Sequence, residues 1–123
     1  MSTPRRIGTT ARFSDIVIHG EVAYIVEVPG SSDADIATQT RELLDRLDAL
    51  LMRAGSGRHL ILMATIYLTD LADYDTMNAL WDAWIPKGSA PSRACVQVAG
   101  LAQPGLKIEI ALTAALASFP DTA

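Results

Sequence analysis

Ala90-Pro-Ser-Arg-Ala-Cys-Val-Gln-Val-Ala-Gly-Leu-Ala-Gln-Pro-Gly-Leu-Lys-Ile-Glu-Ile-Ala-Leu-Thr-Ala114 reads as two strands joined by a turn around Gly100–Gly105. In the first, Ala94, Val96 and Val98 alternate with Arg93, Cys95 and Gln97. In the second, Ile108, Ile110 and Leu112 alternate with Lys107, Glu109, Ala111 and Thr113. Successive side chains on a strand point to opposite faces, so Arg93 shares a face with Cys95 and Lys107 shares one with Glu109. A hairpin register pairing those two polar faces brings a cation and a carboxylate together on one surface of a sheet.

Working outward, the run from His59 to Leu68 is an apolar strand on both of its alternating faces. Leu60, Leu62, Ala64, Ile66 and Leu68 line one face, and Ile61, Met63, Thr65 and Tyr67 the other. Thr69-Asp70 caps a helix over Leu71–Trp84 whose buried stripe is Tyr74, Met77, Leu80, Trp81 and Trp84. Upstream, Ile36, Thr40, Leu43, Leu44, Leu47, Leu50 and Leu51 form one stripe of a longer helix, capped by Ser32 or Asp33 and stopped by Gly55. Arg12–Ile18 and Val22–Val28 read as a hairpin turning at Gly20, and residues 1–10 as a loose arm. The order is strand-strand-helix-strand-helix-strand-strand, an α+β layer in one domain spanning residues 1–123. Two helices cover one face of such a sheet. The other face, carrying Ile61, Met63, Cys95, Ala111 and Ala115, implies a partner subunit.

Half of the 123 residues are hydrophobic and 20% are charged, a globular composition. The net charge of −4, without an aromatic-basic patch, argues against a nucleic-acid or anionic-membrane surface. No uninterrupted apolar segment approaches membrane-spanning length, and no apolar run follows the basic N-terminus as in a secretory signal. A lone cysteine fits a reducing compartment, so a cytoplasmic location is expected. His19 and His59, with no Cys-x-x-Cys or His-Glu-x-x-His pattern, leave little material for a metal site.

Arg93 suits two-point recognition of a small carboxylate; equally, it can form a salt bridge to Glu109 or across an interface. Glu109, flanked by Ile108 and Ile110, either manages protons from a partly desolvated position or pairs with Arg93 or Lys107. Cys95 has apolar neighbours and no nearby histidine in sequence, which favours an inert buried thiol over a nucleophile. Asn78 lies near the apolar stripe of its helix and can bond a ligand or the following loop.

Pro91-Ser-Arg93-Ala-Cys95-Val-Gln-Val, a Pro/Gly turn, and Lys107-Ile-Glu109-Ile resemble the C-terminal signature of the RidA (YjgF) family. Ala64-Thr-Ile-Tyr-Leu-Thr-Asp-Leu-Ala-Asp-Tyr-Asp-Thr-Met-Asn78 is similar to that family's third strand and second helix, and the likeness runs from Ala11 to Ala117. The resemblance implies a chorismate-mutase-like fold and a homotrimer with ligand clefts between subunits. It implies hydrolysis of reactive enamines and imines such as 2-aminoacrylate to 2-keto acids and ammonia, as in 2-iminobutanoate/2-iminopropanoate deaminases. No metal or organic cofactor is implied. By position, Arg93 would pair with the substrate carboxylate, and the Cys95 backbone carbonyl would hold the imine nitrogen or attacking water. Glu109 would orient that water, Asn78 would be a supporting polar contact, and Phe13 would stand where the family often has a ligand-facing tyrosine. The chain departs from the family where a Ser-Gly-Gln stretch usually closes the second strand: here it reads Ile25-Val26-Glu27-Val28-Pro29. A non-catalytic trimer that binds small carboxylates as a regulator is the alternative reading.

Overall fold

A computed structural model describes residues 3–117. Its strands are β1 (Arg5–Ile7), β2 (Ile16–His19), β3 (Val22–Glu27), β4 (Ile61–Leu68), β5 (Ser92–Gln97) and β6 (Ile108–Ala115); its helices are α1 (Ile36–Arg53) and α2 (Tyr74–Trp84). All six strands form one sheet in the order β1-β2-β3-β6-β4-β5. Both helices lie on one face, as the α+β reading requires.

The hairpin at Gly20 forms as expected. His19 pairs with Val22 across a two-residue turn, and Gly20 takes φ +62°, a conformation that costs glycine little. The segment read as a loose arm instead contributes β1, which pairs antiparallel with β2. Strand β4 begins later than read, after a 3-10 turn at Arg58–Leu60, and a bulge between Ile61 and Met63 resets its alternation. Ile61 therefore turns into the core, whereas Leu62 is exposed.

The terminal pair of strands overturns the opening expectation. Strands β5 and β6 do not form a hairpin, because β4 lies between them. β5 pairs with β4 in parallel, completing a β4-α2-β5 crossover, and β6 pairs antiparallel with both β3 and β4. Segment 98–107 crosses the end of β4 instead of reversing tightly: Val98 donates its N–H to Leu68 (2.8 Å), and Thr69 donates to Lys107 (3.1 Å).

Helix α1 is capped by Asp35, whose carboxylate accepts from Thr38 N–H at 2.8 Å; neither Ser32 nor Asp33 does so. Those backbone and side-chain hydrogen bonds from Thr38 hold the Asp35 carboxyl below the usual aspartate value. Gly55, at φ +79°, ends the helix. Leu43, Leu47 and Leu51 are fully buried on its inner stripe, each contributing ~1.5–3 kcal/mol by leaving water. They meet Ile25, Ala64, Ile66, Ile108 and Ile110 from the sheet and Met77 and Trp81 from α2.

Candidate functional site

Register decides which groups share a face. On the helix side, Arg93 lies opposite Ala64, which lies opposite Leu112; Cys95 lies opposite Ile66, itself opposite Ile110. Ala64 and Ile66 are fully buried, so Arg93 and Cys95 project toward α2. Glu109 precedes buried Ile110 and pairs with Tyr67, so it projects from the opposite, helix-free face. The expected convergence of Arg93 and Glu109 on one surface does not occur within a chain. Their mutual salt bridge is excluded for the same reason.

Arg93 is held by aromatic rings. Its guanidinium carbon lies 5.4 Å from the Trp81 ring centroid and 6.0 Å from that of Tyr74, both on α2. Its Nη2 reaches the Tyr74 hydroxyl at 3.5 Å, a long contact. Among the described residues, the ion pairs are Arg46–Glu27, Arg53–Asp15 and Arg58–Asp48. Arg93 is half-buried and takes part in none of them. Such a cation retains planar N–H donors for an external carboxylate. Lys107 is no partner for Glu109 either: its Nζ donates to Ala34 O at 2.9 Å.

Asn78 occupies the α2 stripe between Tyr74 and Trp81, four residues after one and three before the other, hence on the Arg93 side. Its Oδ1 is sealed from solvent and accepts no hydrogen bond from protein. Cys95 is a half-buried thiol packed against the core; burial raises its pKa and nearby Arg93 offsets this in part. The thiol is accordingly a poor nucleophile. Because Val98 N–H bonds Leu68, the backbone groups of Ala94, Val96 and Val98 face β4, and those of Arg93, Cys95 and Gln97 face the free edge of β5. The Cys95 carbonyl is thus at the sheet edge, beside the Arg93 side chain.

The helix-free face differs in membership from the sequence reading. Ile61 and Cys95 belong to the core side; Met63 and Ala111 are where expected. Paired rows Val17-Tyr24-Thr113-Met63 and Val26-Ala111-Thr65-Ala94 run across this face. Tyr24, Val26, Met63 and Val96 on it are 41–57% exposed, a contiguous apolar surface. Phe13, 63% exposed, sits above one end, where a hollow of about 490 Å³ is lined by Phe13, Val17, Tyr24, Val26, Val28 and others. In one chain, Phe13 and Arg93 lie at opposite ends of the strand order and on opposite faces.

Trp81 is buried in the α2 stripe as expected, whereas Tyr74, expected in the same stripe, is 39% exposed; what sequence reasoning missed is that both rings receive Arg93. Their signal was the strand-helix-strand order, which places α2 over a parallel β5 and its stripe over Arg93.

The Endoribonuclease L-PSP family model matches residues 3–116, and the chain belongs to that family. Over 111 residues it is 47% identical to the RutC family protein YoaB of Escherichia coli K12, covering 90% of this chain and 96% of that one. A crystal structure of a YjgF family member from Neisseria meningitidis matches with TM-score 0.90 and 37% identity, covering 95% of this chain and 98% of the other. The 2-iminobutanoate/2-iminopropanoate deaminase of Escherichia coli K12 is 39% identical over 83 residues, 66% of this chain and 64% of that enzyme. The RidA (YjgF) resemblance and its α+β fold therefore hold. Among the described residues, no helix is long and apolar enough to cross a membrane, and no cluster of three His, Cys, Asp or Glu side chains is placed to hold a metal.

Proposed function

We propose that the protein hydrolyses reactive imines and enamines bearing a carboxylate, of the 2-aminoacrylate type, to 2-keto acids and ammonia. The observation that carries this reading is Arg93: a half-buried guanidinium, held against the Trp81 and Tyr74 rings, with no carboxylate of its own. It takes the substrate carboxylate through paired N–H donors. After tautomerisation of the enamine, water adds to the imine carbon, a proton moves to nitrogen, and the carbon–nitrogen bond breaks to give carbonyl and ammonia. Glu109 takes the proton from the attacking water and delivers it toward nitrogen. The Cys95 carbonyl is an acceptor for imine N–H or water, Asn78 is a supporting polar contact beneath Arg93, and the Phe13 that borders the cleft comes, like Glu109, from a neighbouring copy.

Because Arg93 and Glu109 face opposite sides of one sheet, a site containing both takes Glu109 from a neighbouring copy. Association through the apolar face, as the homotrimer of the family resemblance, supplies that copy. We place this activity in the cytoplasm, where the lone thiol of Cys95 stays reduced.

The test measures keto-acid release, above the spontaneous rate, from 2-aminoacrylate generated in situ. Arg93→Ala and Glu109→Ala should each lose the acceleration. Co-refolded mixtures of the two should regain part of it, since mixed assemblies contain some intact sites. Undiminished turnover by Arg93→Ala refutes the carboxylate clamp. Failure of the mixtures to complement refutes a site shared between copies. A second reading, a carboxylate-binding regulator without turnover, is favoured by the end of β3. There Glu27, bonded to Val28 N–H (2.9 Å) and paired with Arg46 (3.6 Å), stands beside exposed Val26. Thermal stabilisation by 2-keto acids with no acceleration of imine hydrolysis would select it.

A further inference from the structure

We infer that Trp81, with Tyr74 beside it, is the positioning residue of the carboxylate site, holding the Arg93 guanidinium over its ring while leaving its donors to the ligand. The inference rests on the clamp role proposed for Arg93. Trp81 is 4% exposed and packed in the core among Leu47, Ile66 and Met77, so it is a fixed floor. The Arg93 guanidinium lies within 6 Å of two ring centroids, Trp81 and Tyr74.

The choice of partner has a chemical consequence. The N–H donors of a guanidinium lie in its own plane, and an aromatic face attracts the cation without consuming them. A carboxylate neighbour would orient the side chain too, but by occupying the donors the substrate needs. A freely rotating arginine would keep its donors and lose rotamer freedom when the ligand binds. Aromatic support avoids both. The single polar contact, to the Tyr74 hydroxyl at 3.5 Å, is too long to compete with a charge-assisted pair.

The support acts equally before and during the reaction, so its loss should appear in KM and leave kcat nearly unchanged. Trp81→Leu should raise KM for the imino acid roughly 3- to 30-fold, with kcat within about twofold of wild type. Trp81→Phe restores a ring and should recover most of that loss, whereas Trp84→Phe, at a similarly buried position, should leave KM unchanged. Tryptophan emission gives a second readout, because the chain has two tryptophans. Propionate should shift the emission of wild type and of Trp84→Phe but not that of Trp81→Phe. A folded Trp81→Leu with wild-type KM overturns the inference and leaves the clamp standing, provided Arg93→Ala loses the acceleration. Undiminished turnover by Arg93→Ala overturns both. If Trp81→Leu does not fold, a propionate response retained by Trp81→Phe and lost by Trp84→Phe overturns the inference.

Discussion

Gln39 is the polar residue whose loss should be felt most widely. It is fully buried on α1, and every hydrogen bond it makes is to backbone. Its Nε2 donates to Ala34 O (3.0 Å) and Gly105 O (2.8 Å), and its Oε1 accepts from Lys107 N–H (2.8 Å). One amide thereby ties the start of α1 to the loop entering β6. Gln39→Leu keeps the approximate volume and removes all three bonds. Gly105 O keeps the Asp33 N–H and Ala34 O keeps Lys107 Nζ, so only the Lys107 N–H is left without an acceptor. At ~1 kcal/mol for each of the two lost carbonyl bonds and ~1–3 kcal/mol for that orphaned N–H, the loss should total about 3–4 kcal/mol. That is a large share of the ~5–15 kcal/mol typical of a folded domain. Urea unfolding at one fixed protein concentration would show it as a midpoint lowered by about 2 M at unchanged slope, taking a slope near 1.5 kcal/mol/M. Gln39→Glu sharpens the test. At neutral pH its carboxylate keeps the bond from Lys107 but faces two carbonyls without a proton. It should therefore recover stability relative to wild type as acidification protonates it, because the folded state raises the pKa of that carboxyl. A Gln39→Leu midpoint shift below about 0.5 M would refute the reasoning.

Further outcomes follow from the same geometry. Cys95→Ala should turn over imine within about threefold of wild type, since the carbonyl at the edge of β5 survives the change; a hundredfold loss would restore the thiol to the mechanism. The native thiol, its pKa raised by burial, should react with a disulfide reagent at pH 8 more slowly than the same chain in urea. Asp35→Ala should lower the melting temperature at pH 7. That gap should close as pH falls from about 4 through the depressed carboxyl value, because a lowered folded-state pKa stabilises only above it. A gap independent of pH would contradict the capping role. Met63→Asp, in the centre of the apolar face, should abolish the self-association proposed through that face, read as a lower sedimentation coefficient than wild type, and an unchanged coefficient would refute an interface there.

Long-period features were legible in the sequence. The α1 stripe, the turn at Gly20 and the stop at Gly55 each rest on local chemistry that tertiary contacts do not override. Strand pairing was not legible, because alternation shows which residues share a face but not which strand lies beside which. Glycines and Pro104 made segment 98–107 resemble a hairpin turn, although its length exceeds the two to five residues usual for one. Face assignment failed at β5 for a related reason. Arg93 and Cys95 looked like an outward polar set, yet Ala94 and Val96 are the exposed pair. A guanidinium can lie on the core side when rings receive it, and those rings come from a helix whose position depends on the β4-α2-β5 crossover. Glu109 kept its expected strand and lost its expected neighbour. Gln39 gave no signal, sitting in a helical stripe where one glutamine looks like a surface position.

Strand β6, the last of the six described strands in chain order, is also the one that joins β3 to β4. Its pairing of Val22 with Ala115 closes one of the longest loops in the chain. Without β6 in place, the strand order leaves β1–β3 and β4–β5 unjoined, with the inner edges of β3 and β4 bare and open to any passing strand. Assembly should therefore be slow for a chain of this size, governed by the late arrival of the central strand, and a chaperone that shields strand edges would act before β6 docks.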